Sequence, residues 1–215
     1  MPEREAIRWL QLTYKVPSEP SQKRVWVWRR LQHLGAFALQ NSVYLLPFSD
    51  EVEKQFRQLA CDIQGFGGES SLFAVTALSE VDEQRILQAL LDARNSEYNA
   101  VVETCGQLLS QIALSLQASS EGALSEHEMH EGLLEKVHVL FRAARRHDLL
   151  GNLTATSRAT AAEALVICEQ LFRVLMEHDY QKARRLLEFY HNTIAPLPDY
   201  QSASPSDEKA RAKPV

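Results

Sequence analysis

Tyr14-Lys15-Val16-Pro17, then Lys23-Arg24-Val25-Trp26-Val27-Trp28-Arg29-Arg30-Leu31-Gln32-His33-Leu34-Gly35 and the run to Leu46-Pro47, decide how this chain reads. Residues 7–15 alternate, with Leu10, Leu12 and Tyr14 on one face and Trp9, Gln11 and Thr13 on the other, which predicts a strand. Pro17 and Pro20 close it, because proline has no N–H for a sheet ladder. Ser21 is placed to cap a helix, and Gly35 to end it in the left-handed conformation. Val27, Leu31 and Leu34 recur at helical spacing as its core face. Trp28 and Leu31 are assigned to that core, whereas Trp26 lies off it, as a stacking platform or a contact for another domain. No acidic residue stands between Glu19 and Asp50, yet Lys23, Arg24, Arg29 and Arg30 all do. In a chain of formal charge -5, this local excess points to an anion, a phosphate backbone or an oxyanion.

Working outward, Ala36 to Gln40 and Val43 to Leu46 are separated only by Asn41-Ser42, the spacing of a tight hairpin. Asp50 to Phe66 returns to helical spacing through Val52, Phe56, Leu59 and Ile63, with Ser49 or Asp50 as cap and Gly67-Gly68 as terminator. Ser71 to Leu78 is a further apolar strand. The order is β-α-β-β-α-β, the ferredoxin-like split unit, over residues 1–79. Leu72-Phe73-Ala74-Val75 and Phe37-Ala38-Leu39 are apolar on both faces. The second face of the sheet should therefore be covered, by the rest of the chain or by another copy.

From residue 80 the texture is helical. Val81 to Leu116 forms one segment, with Asn95-Ser96 as a candidate kink, and Ala118 to Gly122 is a loop. Ser125 and Glu128 have the form of a capping box. They open a helix with Leu133, Val137, Leu140 and Ala144 inward, which ends at Gly151. Thr156 or Ser157 opens another that runs through Leu165, Cys168, Leu171 and Leu175 to Ala183, Leu186 and Tyr190. The fold class is thus α+β: the ferredoxin-like domain, then an antiparallel bundle of about three long helices over 80–195. The Pro/Ser-rich stretch 196–215 has the composition of a disordered tail.

Hydrophobic content of 45% and charged content of 24% are those of a chain that can build a core. The negative net charge excludes a uniformly basic coat, so any nucleic-acid contact must be a patch. No apolar run approaches the ~20 residues of a membrane span. Met-Pro-Glu-Arg-Glu lacks the order of a secretion signal, so a cytoplasmic location is expected. Cys61, Cys105 and Cys168 sit in apolar helical contexts without paired spacing and read as buried reduced thiols. His127, His130, Glu131 and His138 lack zincin spacing and read as a solvated polar face. Arg142, Arg145, Arg146 and His147 complement a helix C-terminus, and Lys182, Arg184 and Arg185 form a solvated stripe. No nucleophile triad, phosphate loop or metal set is visible, so neither an enzyme nor a cofactor is expected.

The residues also resemble a family. The strand ending in Tyr14-Lys15-Val16-Pro17, then Pro20-Ser21, Arg24, Val27-Trp28-Arg29, Leu34-Gly35-Ala36 and Leu46-Pro47, is similar to the N-terminal region of ChrB, a chromate-resistance regulatory protein. The likeness is specific over 7–78 and collinear beyond, at Glu97-Tyr98, Arg146-His147-Asp148 and Glu163 to Cys168. Longer members continue into a C-terminal chromate-resistance domain, for which this chain has no room. The N-terminal unit also resembles that of CRISPR-associated spacer-acquisition nucleases and the C-terminal part of phenylacetate-type repressors. In those nucleases the first strand ends in a metal-binding aspartate. Here Lys15 follows Tyr14, so the first metal ligand is missing.

The resemblance implies a cytoplasmic regulator of chromate or related stress resistance. DNA is the expected partner, chromate a candidate effector, and a homodimer through the sheet is expected because its edges must be paired or covered. Lys15, Lys23, Arg24, Arg29 and Arg30 are the expected phosphate or oxyanion contacts, with Gln40 and Ser42 nearby as polar additions. The alternative is a non-enzymatic interaction or dimerisation module that does not bind DNA, its arginines pairing only with the chain's own acids.

Overall fold

The computed structural model describes residues 7–17, 19, 21–116 and 123–193, with all of their side chains except those of 123–127 and 191–193. The expected loop at 118–122 and the expected tail from 196 lie outside the described residues. β1 (Arg8–Lys15), α1 (Ser21–His33), β2 (Phe37–Gln40), β3 (Val43–Pro47), α2 (Asp50–Gly65) and β4 (Glu69–Thr76) follow one another. The strands form one antiparallel sheet in the order β2-β3-β1-β4. That is the ferredoxin-like arrangement the sequence predicts.

Local chemistry explains the boundaries. Gly35, at φ 65, stops α1: the Ala36 N–H donates to Leu31 O at 3.1 Å and the Gly35 N–H to Gln32 O at 2.9 Å, a Schellman closure. Ser49 caps α2 by accepting the Val52 N–H at 3.2 Å. Gly67, at φ 76, ends it. The hairpin turns at Asn41-Ser42, with Ser42 itself left-handed.

Two cores flank the sheet. On one face Leu10, Leu12 and Leu46 pack with Val27 and Leu31 of α1 and Val52, Phe56, Leu59 and Ile63 of α2. On the other, Trp9 and Leu45 pack against Ile86 and Leu90 of α3 (Glu80–Ser115). The second face is thus covered by the chain itself. Cover is partial, since Phe73 on β4 remains 52% exposed.

At 36 residues, α3 is roughly 54 Å long and serves both halves. From Tyr98 onward its buried row enters a bundle core with α4 (Ala123–His147), α5 (Ala155–Met176) and α6 (Tyr180–Thr193).

Several expectations need correction. Trp28 is 50% exposed, although Leu31 is fully buried. One step round the helix from Val27, it falls on the flank, beyond the row that already fills the space above Leu12. Cys61 is exposed, while Cys105 and Cys168 are buried. α3 runs unbroken through Asn95-Ser96, where Asn95 Oδ1 instead accepts from Ser157 Oγ at 2.7 Å. α4 starts at Ala123, so Ser125 does not open it. The last helical segment is two helices. His178 takes φ 57, and Asp179 caps α6 by accepting the Lys182 N–H at 3.0 Å. Apolar spacing stays in phase across that break, which is why periodicity alone joins the two. His130 is buried, and His138 pairs with Glu169 at 3.4 Å, so this face of α4 is not simply solvated.

Candidate functional site

α1 distributes its cations over two flanks. Arg24 shares one with Trp28, four residues on, and Arg30 shares the other with His33, three residues on. Arg29 points between them into solvent. All three arginines are exposed, and none forms an ion pair among the described residues. Ser21, Arg24, Val25 and Trp28 line a shallow groove of about 290 Å³. The Arg24 flank therefore offers a guanidinium beside an exposed indole, a surface that suits a phosphate and a flat apolar group together.

The other two expected contacts are placed differently. Lys23 donates from Nζ to Phe66 O at 2.9 Å and lies over the Phe66 ring, 5.9 Å from its centroid. Trp26 meets the same ring edge-on at 5.2 Å. Both side chains fasten α1 to the end of α2. Lys15 is exposed at the end of β1, directly across the ladder from Glu69. It lies at the hairpin end of the sheet, where the Tyr14 N–H donates to Ser42 O at 3.0 Å. Arg30 lies near the opposite end of α1, so the five cations do not form one cluster.

At that far end the last turn of α1 meets the last turn of α4. Arg146 Nη1 lies 2.9 Å from Nε2 and 3.2 Å from Nδ1 of His33. The His33 and His147 rings are 6.4 Å apart, edge to face. Behind them Arg94, only 5% exposed, donates to His147 O at 3.1 Å and pairs with Glu97 Oε1 at 3.1 Å. The same Oε1 meets His147 Nδ1 at 3.0 Å. Asp148 follows, accepting from Tyr98 at 2.8 Å, Thr154 at 2.7 Å and Arg158 at 2.7 Å, and from the Leu150 N–H at 3.3 Å. Leu149 packs into the core under α1, and Leu150 into the core beside Trp9. The segment after α4 thus stitches the sheet unit to the bundle.

His33 and Arg146 were not singled out together in the sequence, being 113 residues apart. A signal was present for the buried network. Arg94 and Glu97 interrupt an otherwise apolar row between Leu90 and Val101, and a polar residue on a core face calls for a partner. Among the described residues no group of three or more His, Cys, Asp or Glu is placed to hold a metal ion. Nor is any of their helices long and apolar enough to cross a membrane.

These features define a two-part α+β protein: a ferredoxin-like sheet with a solvent-facing basic helix, docked through a polar seam on a helical bundle. The family described as Protein ChrB, N-terminal, matches residues 24–186. The chain belongs to that family. Protein ChrB of Cupriavidus metallidurans is 29% identical over 147 residues, which take in 68% of this chain and 39% of that protein. The chain therefore spans well under half the length of that curated relative. No solved structure matches.

Proposed function

We propose that this chain is a ChrB-type regulator connected with chromate resistance that acts in the cytoplasm, without catalysis, by binding DNA through α1. One observation carries the reading: Arg24, Arg29 and Arg30 stand exposed, unpaired among the described residues, in a stretch with no acid. Guanidinium groups so placed match phosphate geometry, and their field is local in an acidic chain. Membership of the ChrB family supports the link to chromate, with chromate as the effector to test.

Fluorescence anisotropy of a duplex from the gene's own upstream region, across a salt series with and without chromate, tests the reading. Affinity should fall linearly with salt on logarithmic axes. Reversing Arg24, Arg29 and Arg30 to Glu should remove binding, and each single change to Gln should lower the salt slope by about 1. Folding should be unchanged, since all three side chains are exposed. Absence of binding at low salt would sink the DNA reading in favour of an interaction module.

The reading gives β4 a second copy of the chain as partner. β4 is an edge strand with no proline and with Glu69 as its only charge, and it exposes Phe73. It thus lacks the usual guards against edge pairing. Two copies of β4 run antiparallel would continue the sheet. Sedimentation should show a dimer that Phe73→Glu dissociates; a monomer at all concentrations would remove this part of the proposal.

A further inference from the structure

The seam between α1 and α4 brings cations together without a matching carboxylate. α1 contributes Arg30 and His33, and α4 contributes Arg145, Arg146 and His147 in its last turn. Glu97 of α3, which reaches His147, is engaged behind the seam: its Oε1 takes both Arg94 and His147. Arg145 and Arg146 form no ion pair among the described residues. One guanidinium nitrogen of Arg146 touches both ring nitrogens of His33. It can donate to only one of them, so the neutral ring of His33 accepts from Arg146 whereas a protonated ring could not. Burial, then Arg146, Arg30 and His147, hold the His33 pKa below its usual value. The helix C-terminal dipoles offset part of this positive charge, but neither Arg146 nor His33 pairs with a carboxylate among the described residues.

We infer that the seam is a binding site for a tetrahedral dianionic oxyanion group of the phosphate or sulfate class, held by Arg146 and the imidazolium of His33, with Arg30 beside them. With the His33 ring protonated the direct Arg146–His33 hydrogen bond is lost, and an oxygen that takes its place as these two exposed side chains move apart would accept from both through charge-assisted hydrogen bonds. The group could be a free oxyanion or a phosphate of a polynucleotide backbone. The site is distinct from the Arg24–Trp28 flank, and sulfate alone suffices to test it. Because the anion would sit on two elements from different halves of the fold, its binding would tighten their docking.

The test is an NMR titration of His33 in the full chain, in sodium sulfate against sodium chloride at matched ionic strength. Sulfate does not itself titrate in the histidine range. Bound dianion should raise the His33 pKa by about 1 unit, and the rise should disappear in Arg146→Gln. His138, paired with Glu169 elsewhere on α4, serves as an internal control and should not respond. The titration is then repeated with a short duplex. A shift in sulfate marks a free-oxyanion site, and a shift with duplex alone marks a backbone-phosphate site; either supports the proposal. If His33 titrates identically in chloride, sulfate and duplex, or shifts equally in Arg146→Gln, the proposal is wrong. A duplex that binds elsewhere without moving His33 leaves the α1 reading standing while overturning this one.

Discussion

Asp148→Ala should cost about 3–5 kcal/mol of folding stability, the range for breaking a buried charge pair. The Asp148 side chain is 1% exposed and accepts from Tyr98, Thr154, Arg158 and the Leu150 N–H. Its removal takes this acceptor from a guanidinium, two hydroxyls and an amide at once, of which Thr154 and Arg158 keep Gly151 O. Each such orphaned donor carries a desolvation penalty of about 1–3 kcal/mol where water cannot reach it. Denaturant unfolding of the wild type and the variant, read as a change in midpoint at constant m, checks the figure. Asp148→Asn, which keeps the shape and one acceptor oxygen, should lose less. A variant as stable as the wild type would mean that the network contributes nothing.

The same residue sets a pH dependence. Burial pushes the Asp148 pKa up. The hydrogen bonds from Thr154, Tyr98, the Leu150 backbone and Arg158 outweigh burial and hold it below the usual carboxylate value. A pKa depressed in the folded state means that the unfolded chain takes up the proton first. The stabilisation is therefore complete above the unfolded value of about 3.9 and is lost as pH falls through the folded one. Acid unfolding of the wild type should steepen in that window, and Asp148→Asn should flatten it.

Gly35→Ala is expected to be the second severe change. At φ 65 a side chain costs roughly 1–2 kcal/mol from the backbone alone. The added Cβ would also collide with Arg94 Nη1 and stand 2.9 Å from His147 Cβ. Arg94 has little freedom to retreat, because it is buried and held by His147 O and Glu97. Displacing it would cost about 3 kcal/mol or more, as for other buried charges deprived of a partner. Gly67→Ala isolates the backbone part: its φ is 76, and nothing lies within 4 Å of the added carbon. Gly35→Ala should therefore lower stability well beyond Gly67→Ala. Combining it with Arg94→Met should recover part of the excess in a double-mutant cycle. Equal losses at the two glycines would show that Arg94 yields freely.

Most of the sheet unit was legible because its determinants are local. The alternation of Leu10, Leu12 and Trp9, the row Val27-Leu31-Leu34, and the stops at Gly35 and Gly67 each act within a few residues, and together they specify the ferredoxin-like order. Even so, the errors follow a physical pattern. Trp28 and Cys61 were placed by composition at positions whose burial depends on what packs above the helix. The break at His178 was hidden because hydrophobic phase survives it.

What the sequence determined by itself was the elements of the sheet unit, their order and the local excess of basic charge on α1, since each is fixed by periodicity, capping and charge counting. Only the tertiary structure decided that Lys23 is spent on Phe66, that the cations split between two ends of α1, and that Arg146 meets His33. It also decided that Asp148 gathers Tyr98, Thr154 and Arg158. The Arg146 and Asp148 contacts arise where α3 carries the bundle back across the sheet. Side chains more than a hundred residues apart meet there because two cores are buried at once, and no local pattern records such a meeting.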